Sequence, residues 1–390
     1  MFKHLRFPLL LAGLALAGCD DNGSFFGSGD VGRPQNLSAR YDWVLEGWQG
    51  SKPAGHPTVT VKWNLPSDWS GEPFRVYARR TNQSSFSLIA TVTSCDQGAC
   101  RYSDINVVPG NAYEYYVATV DEDTDTEASS DYRVPVTVPS YTPPATPQAD
   151  TTFGMDNALY IRWKPTGSTS ALWKYQVYLV AIDGTPNTIY QLGETDGTGF
   201  LDQRAKNGSA YSYRIAAVDT LGQVSDLSTI QIGIPRPDYH GELVYAHGDS
   251  TAASGFRFVA ADSLNPVLSG DLPSAQWRLE VVNGAWQIRP LGETQVVSAG
   301  RTTALTCGAS RDPGCTAVFQ APAAGYTSSP VTVNQEFSYV FRVRASDGQF
   351  HYGVIRAQIL GSSGANRRLM IFDWAYQLRA GEPRLARLPG

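Results

Sequence analysis

The strongest constraint on this chain is that it repeats itself. Gly110 to Asp121 (GNAYEYYVATVD) returns as Gly208 to Asp219 (GSAYSYRIAAVD), an offset of 98. Upstream, Trp63 in TVTVKW matches Trp163 in ALYIRW at an offset of 100, and Val76-Tyr77 matches Val177-Tyr178 at 101. A stretch that recurs at this period must fold twice in the same way and bury a core each time, with the drift absorbed in loops. Each copy holds about seven short runs of alternating apolar and polar residues, broken by Pro, Gly, Asn and Asp, which is the pattern of an antiparallel sandwich. The 37 Gly, 24 Pro and 20 Tyr agree with strands and turns.

At this point a resemblance is visible. A proline opens each copy (Pro34; Pro147), a tryptophan closes the second strand (Trp63; Trp163), a tyrosine stands on the third (Tyr77; Tyr178), and Y-x-Y-x-x-A-x-V-D recurs near the end. Residues 34–235 thus resemble two tandem fibronectin type III domains. The resemblance implies an all-β fold of immunoglobulin-like sandwiches over 34–139 and 147–235, joined by the proline-bearing linker 140–146 (SYTPPAT). The first copy departs from it by inserting Tyr41 to Pro57 before its second strand and by a loop between Cys95 and Cys100. Residues 236–390 are too long for one more such sandwich and form a distinct C-terminal antiparallel β-domain.

The N-terminus reads as a secretory signal over residues 1–18, with Lys3 and Arg6 ahead of the apolar run Phe7 to Ala17. Leu16-Ala17-Gly18-Cys19 resembles the lipobox of bacterial lipoproteins, which implies that Cys19 becomes the acylated first residue. Several acyl chains on one residue anchor stably where a single chain is marginal. The expected location is therefore the cell envelope, lipid-anchored to a membrane, with residues 19–33 (Gly, Ser and Asp rich) as a flexible tether.

With Cys19 acylated, Cys95, Cys100, Cys307 and Cys315 remain, each pair bracketing a short turn-rich segment. Two local disulfides are the simplest connectivity in an oxidising compartment. A metal site is the alternative, but no CxxC or nearby histidine pair supports it, and no metal is expected.

Near the C-terminus, Phe337 to Ala345, Phe350 to Leu360 and Arg368 to Leu378 read as three strands. A turn centred between Ser363 and Gly364 pairs Met370, Phe372, Trp374 and Tyr376 with Ala357, Ile355, Gly353 and His351, one apolar face broken only by the histidine. Asp347-Gly348-Gln349-Phe350 leading into Ile355, and Phe372-Asp373-Trp374-Ala375-Tyr376-Gln377, are similar to the last strands of HmuY-like lipoproteins. That resemblance implies a β-rich binding domain and makes haem a candidate ligand, held in that family by histidine or methionine. His351 and Met370 lie too far apart along this hairpin to bind one iron. His240 and His247 would meet a ligand only if folded together.

The net charge of −5 and the lack of a basic block exclude phosphate-backbone binding, so nucleic acid is not an expected partner. Catalytic signatures such as GxSxG, HExxH and the glycine-rich phosphate loops are absent from the sequence. The acidic run Asp121 to Glu127 lacks the Gly and Glu of an EF-hand at the required positions and reads as a solvated loop, with a loose calcium site as the alternative. Asp262 and Glu280 are carboxylates that a glycan-cleaving site would need to bring together. Trp43, Trp48 and Trp69 lie outside the core position of Trp63; they either stack on a partner or sugar, or fold back as a satellite cluster. The expectation is a non-enzymatic, lipid-anchored binding or scaffold protein that engages an envelope protein or glycan. Small-ligand capture by the C-terminal domain is the alternative, and a carbohydrate-active enzyme a further one.

Overall fold

A computed structural model describes residues 31–96, 98–308 and 312–385. Apart from two single-turn 3-10 segments, Thr251–Ala253 and Asp262–Leu264, every regular element among them is a β-strand. Contacts divide the chain into two compact units. The first holds the residues before Tyr41 together with Thr60–Asp104 and Ala112–Val136; the second holds Tyr41–Val59, Ile105–Asn111 and all that follows Val136.

The first repeat supplies eight strands: β1 (Gln35–Gln49), β2 (Lys52–Asn64), β3 (Phe74–Arg80), β4 (Ser87–Val92), β5 (Ala99–Asp104), β6 (Asn111–Asp121), β7 (Thr126–Ser129) and β8 (Val134–Val138). They form a β1-β2-β5 sheet and a β4-β3-β6-β7 sheet to which β8 adds on β6. Strand β3 reads apolar on alternate residues, and Phe74, Val76, Trp63, Tyr115 and Val117 are fully buried or nearly so. The phenol of Tyr115 donates to Asp104 Oδ2 at 2.9 Å.

The second repeat builds the same two sheets. Its strands are β9 (Gln148–Met155), β10 (Ala158–Lys164), β11 (Leu172–Ile182), β12 (Thr185–Thr195), β13 (Gly199–Asp202), β14 (Tyr211–Asp219) and β15 (Gln231–Gly233). They pair as β13-β10-β9 and β12-β11-β14-β15. Between the sheets lie Leu159, Ile161, Trp163, Tyr175, Val177, Tyr213 and Ile215. Tyr213 donates to Asp202 Oδ2 at 2.8 Å, the same pair at the same separation as in the first copy.

Strand β14 is buried on both faces over Ile215–Asp219, so its sequence does not alternate. The reason is a second apolar cluster on the outer face, where Tyr178, Ala216, Val218 and Leu227 are covered by Trp43, Leu45 and Trp48 from the distal part of the β1–β2 hairpin. The Ser51 carbonyl accepts a bond from the Leu227 amide at 2.8 Å. Residues of the expected linker are tied down here too: Gln223 donates to the Ser140 carbonyl and accepts from the Thr142 amide, and Tyr141 donates to the Val224 carbonyl.

The C-terminal region is a sandwich of two five-stranded sheets. Its strands are β16 (Asp238–Tyr245), β17 (Gly255–Phe256), β18 (Val267–Leu268), β19 (Trp277–Val282), β20 (Ala285–Pro290), β21 (Gln295–Arg301), β22 (Val331–Thr332), β23 (Phe337–Arg344), β24 (Phe350–Ser362) and β25 (Arg368–Gln377). The orders are β16-β25-β24-β23-β21 and β18-β17-β19-β20-β22. Phe256, Trp277, Phe341, Phe372 and Trp374 interlock between them with ring centroids 5.2–5.7 Å apart, mostly edge to face. The extra length of the region is used to cover the outer face of the first sheet. Leu305 and Ala321 from the connection between β21 and β22, and Leu385 from the tail, close over Val340, Val354 and Ala375.

The β24–β25 register differs from the sequence expectation by two residues: Phe372 stands opposite Ala357, Trp374 opposite Ile355 and Tyr376 opposite Gly353. A bulge then shifts Met370 opposite Leu360. The expected turn was too early, because the loop runs over Ser363–Arg367, closed by the Asn366 amide on the Ser363 carbonyl with Asn366 in a left-handed conformation. An even displacement keeps every side chain on its face, so the hydrophobic pattern alone cannot detect it.

Candidate binding groove

Within the second unit the outer face of the β13-β10-β9 sheet carries a row of three side chains in register, Leu201, Tyr160 and Phe153. Alternation along β10 aims Leu159 and Ile161 into the core and leaves Tyr160 outward. Gly199 makes the row possible, since a Cβ there would stand 2.0 Å from the Tyr160 hydroxyl. Facing the row are Asp238 and His240 from β16 and Thr306, Cys307 and Gly308 from the covering segment; with Met155 they enclose an open, largely apolar groove of about 510 Å³. That volume is typical of ligand and peptide sites.

The groove has a supported wall. The Cys307–Cys315 disulfide closes the loop that carries Cys307. Asp238 accepts from Thr306 Oγ1 at 2.9 Å, and Tyr239 donates to Asp156 Oδ2 at 3.0 Å, joining β16 to the β9–β10 turn. His240 is solvent-facing, its Nδ1 3.2 Å from Asp373 and its Nε2 3.7 Å from Asp238. Chemically the groove offers a largely apolar floor with a histidine, two carboxylates (Asp156 and Asp238) and the Thr306 hydroxyl in its lining.

The residues singled out from sequence fall as follows. Cys19 lies outside the described residues. Cys95 is bonded to Cys100 and Cys307 to Cys315, as the spacing predicts. Trp43 stacks on Tyr141 with centroids 4.4 Å apart, and Trp48 meets Tyr178 edge to face at 5.2 Å, so both rings are engaged within the chain. Trp69 is in the first unit, where its indole N–H donates to the Glu72 carbonyl at 2.8 Å and its ring lies over Phe74. None of the three lines the groove.

The acidic run forms the β6–β7 turn: Asp121 accepts the Asp123 amide, and Arg75 pairs with Asp125 at 2.9 Å and Glu127 at 2.7 Å. Glu280 is clamped between Arg278 and Arg289, both 2.8 Å away, and these arginines outweigh burial to lower its pKa. Asp262 stands instead beside Glu242, whose carboxyl is pushed up by burial first and by Asp262 second. His247 pairs with Asp271 at 2.8 Å. Among the described residues no group of three or more His, Cys, Asp or Glu is placed to hold a metal ion.

Neither His351 nor Met370 is placed to hold a haem iron. The ring of His351 is buried, with Nδ1 3.2 Å from the Gln377 carbonyl and Nε2 2.9 Å from Asp347, so neither nitrogen is open to iron. Met370, fully buried in the sandwich core, faces Leu360, nine residues and about 30 Å along the strand from His351. Both ring nitrogens of His240 face carboxylates.

The fold and groove define a tandem all-β protein of fibronectin type III-like sandwiches with a further β-sandwich at its C-terminus. No family model matches the chain. Exoglucanase B of Cellulomonas fimi is 26% identical over 212 residues, covering 51% of this chain; the match spans 18% of that enzyme's length. Among solved structures, the chicken CNTN1 FN1–FN3 domains, a set of fibronectin type III domains, align over 53% of this chain and 67% of that one with 13% identity and a TM-score of 0.36.

The groove itself was not foreseen from sequence. Its floor comes from β9, β10 and β13 of the second repeat and its wall from the region after it, and no motif spans that distance. The one local signal is the alternation in ALYIRW, which sets Tyr160 on the face opposite Leu159, Ile161 and Trp163.

Proposed function

We propose that this chain is a non-enzymatic binding and scaffold protein of the cell envelope, lipid-anchored at Cys19, with the Leu201–Tyr160–Phe153 groove as its contact for an envelope protein or glycan. The observation that carries the reading is the groove: a largely apolar floor on a β-sheet, with the disulfide-bonded Cys307 in its wall and a few polar side chains, Asp156, Asp238 and His240 among them, in its lining. Such a surface recognises an apolar or aromatic segment, or the face of a sugar ring, and fixes its orientation at the edge. Two local disulfides suit an oxidising, extracytoplasmic setting. Exoglucanase B is by name a glucan-cleaving enzyme, and the matched part is a small share of it; that makes glucan oligosaccharides the first glycans to offer.

The test is site-specific photo-crosslinking in intact cells, with the probe at Leu201 and, as control, at Val282, an exposed residue of the same unit away from the groove. A discrete adduct at Leu201 that is lost on Met155→Glu, or retention on a glucan column abolished by the same change, supports the proposal. Adducts of equal yield at both positions with no glycan retention, or release of reducing sugar from any glucan by the purified chain, overturn it.

A further inference from the structure

A second and much smaller cavity lies where β9, β15, the connection to β16, the end of β25 and the C-terminal tail converge. It measures about 50 Å³ and is lined by Thr152, Gly154, Gly233, Arg236, Gln377 and Arg384 among others. Two of its glycines are there because nothing larger fits: a Cβ on Gly154 would stand 2.5 Å from the Ile234 carbonyl, and one on Gly233 2.3 Å from Thr152. The chain has brought backbone close around a polar hollow.

Arg236 is 4% exposed. Its charge has weak company: Nη2 reaches Asp238 Oδ2 and Thr306 Oγ1 only at 3.4 Å, and Nε–H has no partner. Thr152 Oγ1 is also buried without a partner. Arg384 turns Nε and Nη2 to Glu382, at 2.8 and 3.0 Å. Gln377 donates to the Arg384 carbonyl and accepts from the Arg379 amide, so it is satisfied without the cavity.

A buried guanidinium with one long carboxylate contact is a costly arrangement unless something else accepts its protons. Water occupies about 30 Å³ in the liquid, so the hollow has room for one small species. Arg236 Nε–H can only donate, and the Thr152 hydroxyl is free to donate. A single acceptor carrying negative charge within reach of both satisfies them and adds to the one long contact that Arg236 makes with Asp238. The geometry points to a binding site for a small monovalent inorganic anion, of the size of chloride, between the second fibronectin-like sandwich and the C-terminal domain. Its ligands come from the second repeat (Thr152) and the connection that follows it (Arg236), so the bound ion ties these two segments to one another. The site is separate from the apolar groove and stands or falls independently of the partner proposed there.

The experiment compares thermal unfolding of the purified full chain in sodium chloride and in sodium gluconate at equal concentration, gluconate being too large for the cavity. The expected result is a rise in Tm of about 2–4 °C that saturates with chloride and has no counterpart in gluconate. Thr152→Val is expected to reduce the chloride effect and Arg236→Gln to abolish it. Equal Tm values in the two salts overturn the proposal. Because Arg236 is buried and its replacement tests folding as well as binding, crystals of the unaltered chain grown in bromide give a second reading: an anomalous peak within hydrogen-bond reach of Arg236 Nε supports the site, and density there without anomalous signal overturns it.

Discussion

Tyr213 and Asp202 form one of two matched buried pairs, the other being Tyr115 and Asp104, and burial followed by the facing carboxylate raises both phenols well above their ordinary pKa. Removing the hydroxyl leaves a carboxylate that is 4% exposed without that donor. Tyr213→Phe is therefore expected to cost about 1–3 kcal/mol in urea denaturation, and Asp202→Asn, which still accepts the bond, less. Gly353 faces the ring of Phe258, and a Cβ would come within 2.5 Å of it. Gly353→Ala is expected to destabilise by about 1–3 kcal/mol, measured the same way, since an aromatic ring packed on all sides cannot retreat.

Acid stability has a local origin as well. Asp249 accepts from the Arg368 amide and guanidinium, which lowers its pKa to about 2. A depressed folded-state pKa contributes stability above the unfolded value near 3.8 and loses it as pH falls toward about 2. The stability–pH curve of Asp249→Asn is expected to be flatter than wild type between about pH 4 and pH 2. At this scale the sequence was partly legible: Tyr and Asp recur with the same offset of 98, Asp104 with Asp202 as well as Tyr115 with Tyr213. That they bond to each other was not, because eleven residues and a change of sheet separate them.

At the scale of elements, the insertion Tyr41 to Pro57 could be seen in the sequence as a departure between two otherwise equal repeats. What it covers could not, although a trace was present. Ile215-Ala216-Ala217-Val218 is a continuous apolar run in a strand of a sheet whose outer face, in a lone sandwich, would meet water. Such a run requires a second cover, and the hairpin end provides it. Trp48→Ala is expected to lower the stability of the second unit by about 1–3 kcal/mol, as removal of a half-buried aromatic does. A loss of partner binding at unchanged Tm would instead assign Trp48 to recognition. The C-terminal hairpin shows the complementary limit: strand positions and the apolar face were readable, while the pairing depended on a five-residue loop and a bulge that side-chain pattern does not encode.

For the whole molecule, two units with separate cores predict that unfolding is not a single two-state event. Calorimetry is expected to resolve two transitions, with Trp48→Ala displacing only the one that belongs to the second unit. The all-β class and the repeat followed from sequence because they rest on periodicity, which is local. The groove and the small polar cavity did not, because both are assembled from segments brought together only by tertiary packing.

The double cover of the β16-β25-β24-β23-β21 sheet has a further consequence. One face is sealed by an opposing sheet; the other is sealed by irregular chain that is held to the tail by two backbone bonds, Ala321 to Pro383 and Leu385 to Phe319. These seals differ in strength, so the two sides of the same strands are uncovered by different events. Release of the outer segment is a partial opening that leaves the sandwich standing and bares Val340, Val354 and Ala375 for its duration. In hydrogen exchange the amides of Ala321 and Leu385 should then trade with solvent far sooner than those of β24. Transient wetting of an apolar sheet face would follow the lifetime of that cover rather than the lifetime of the fold.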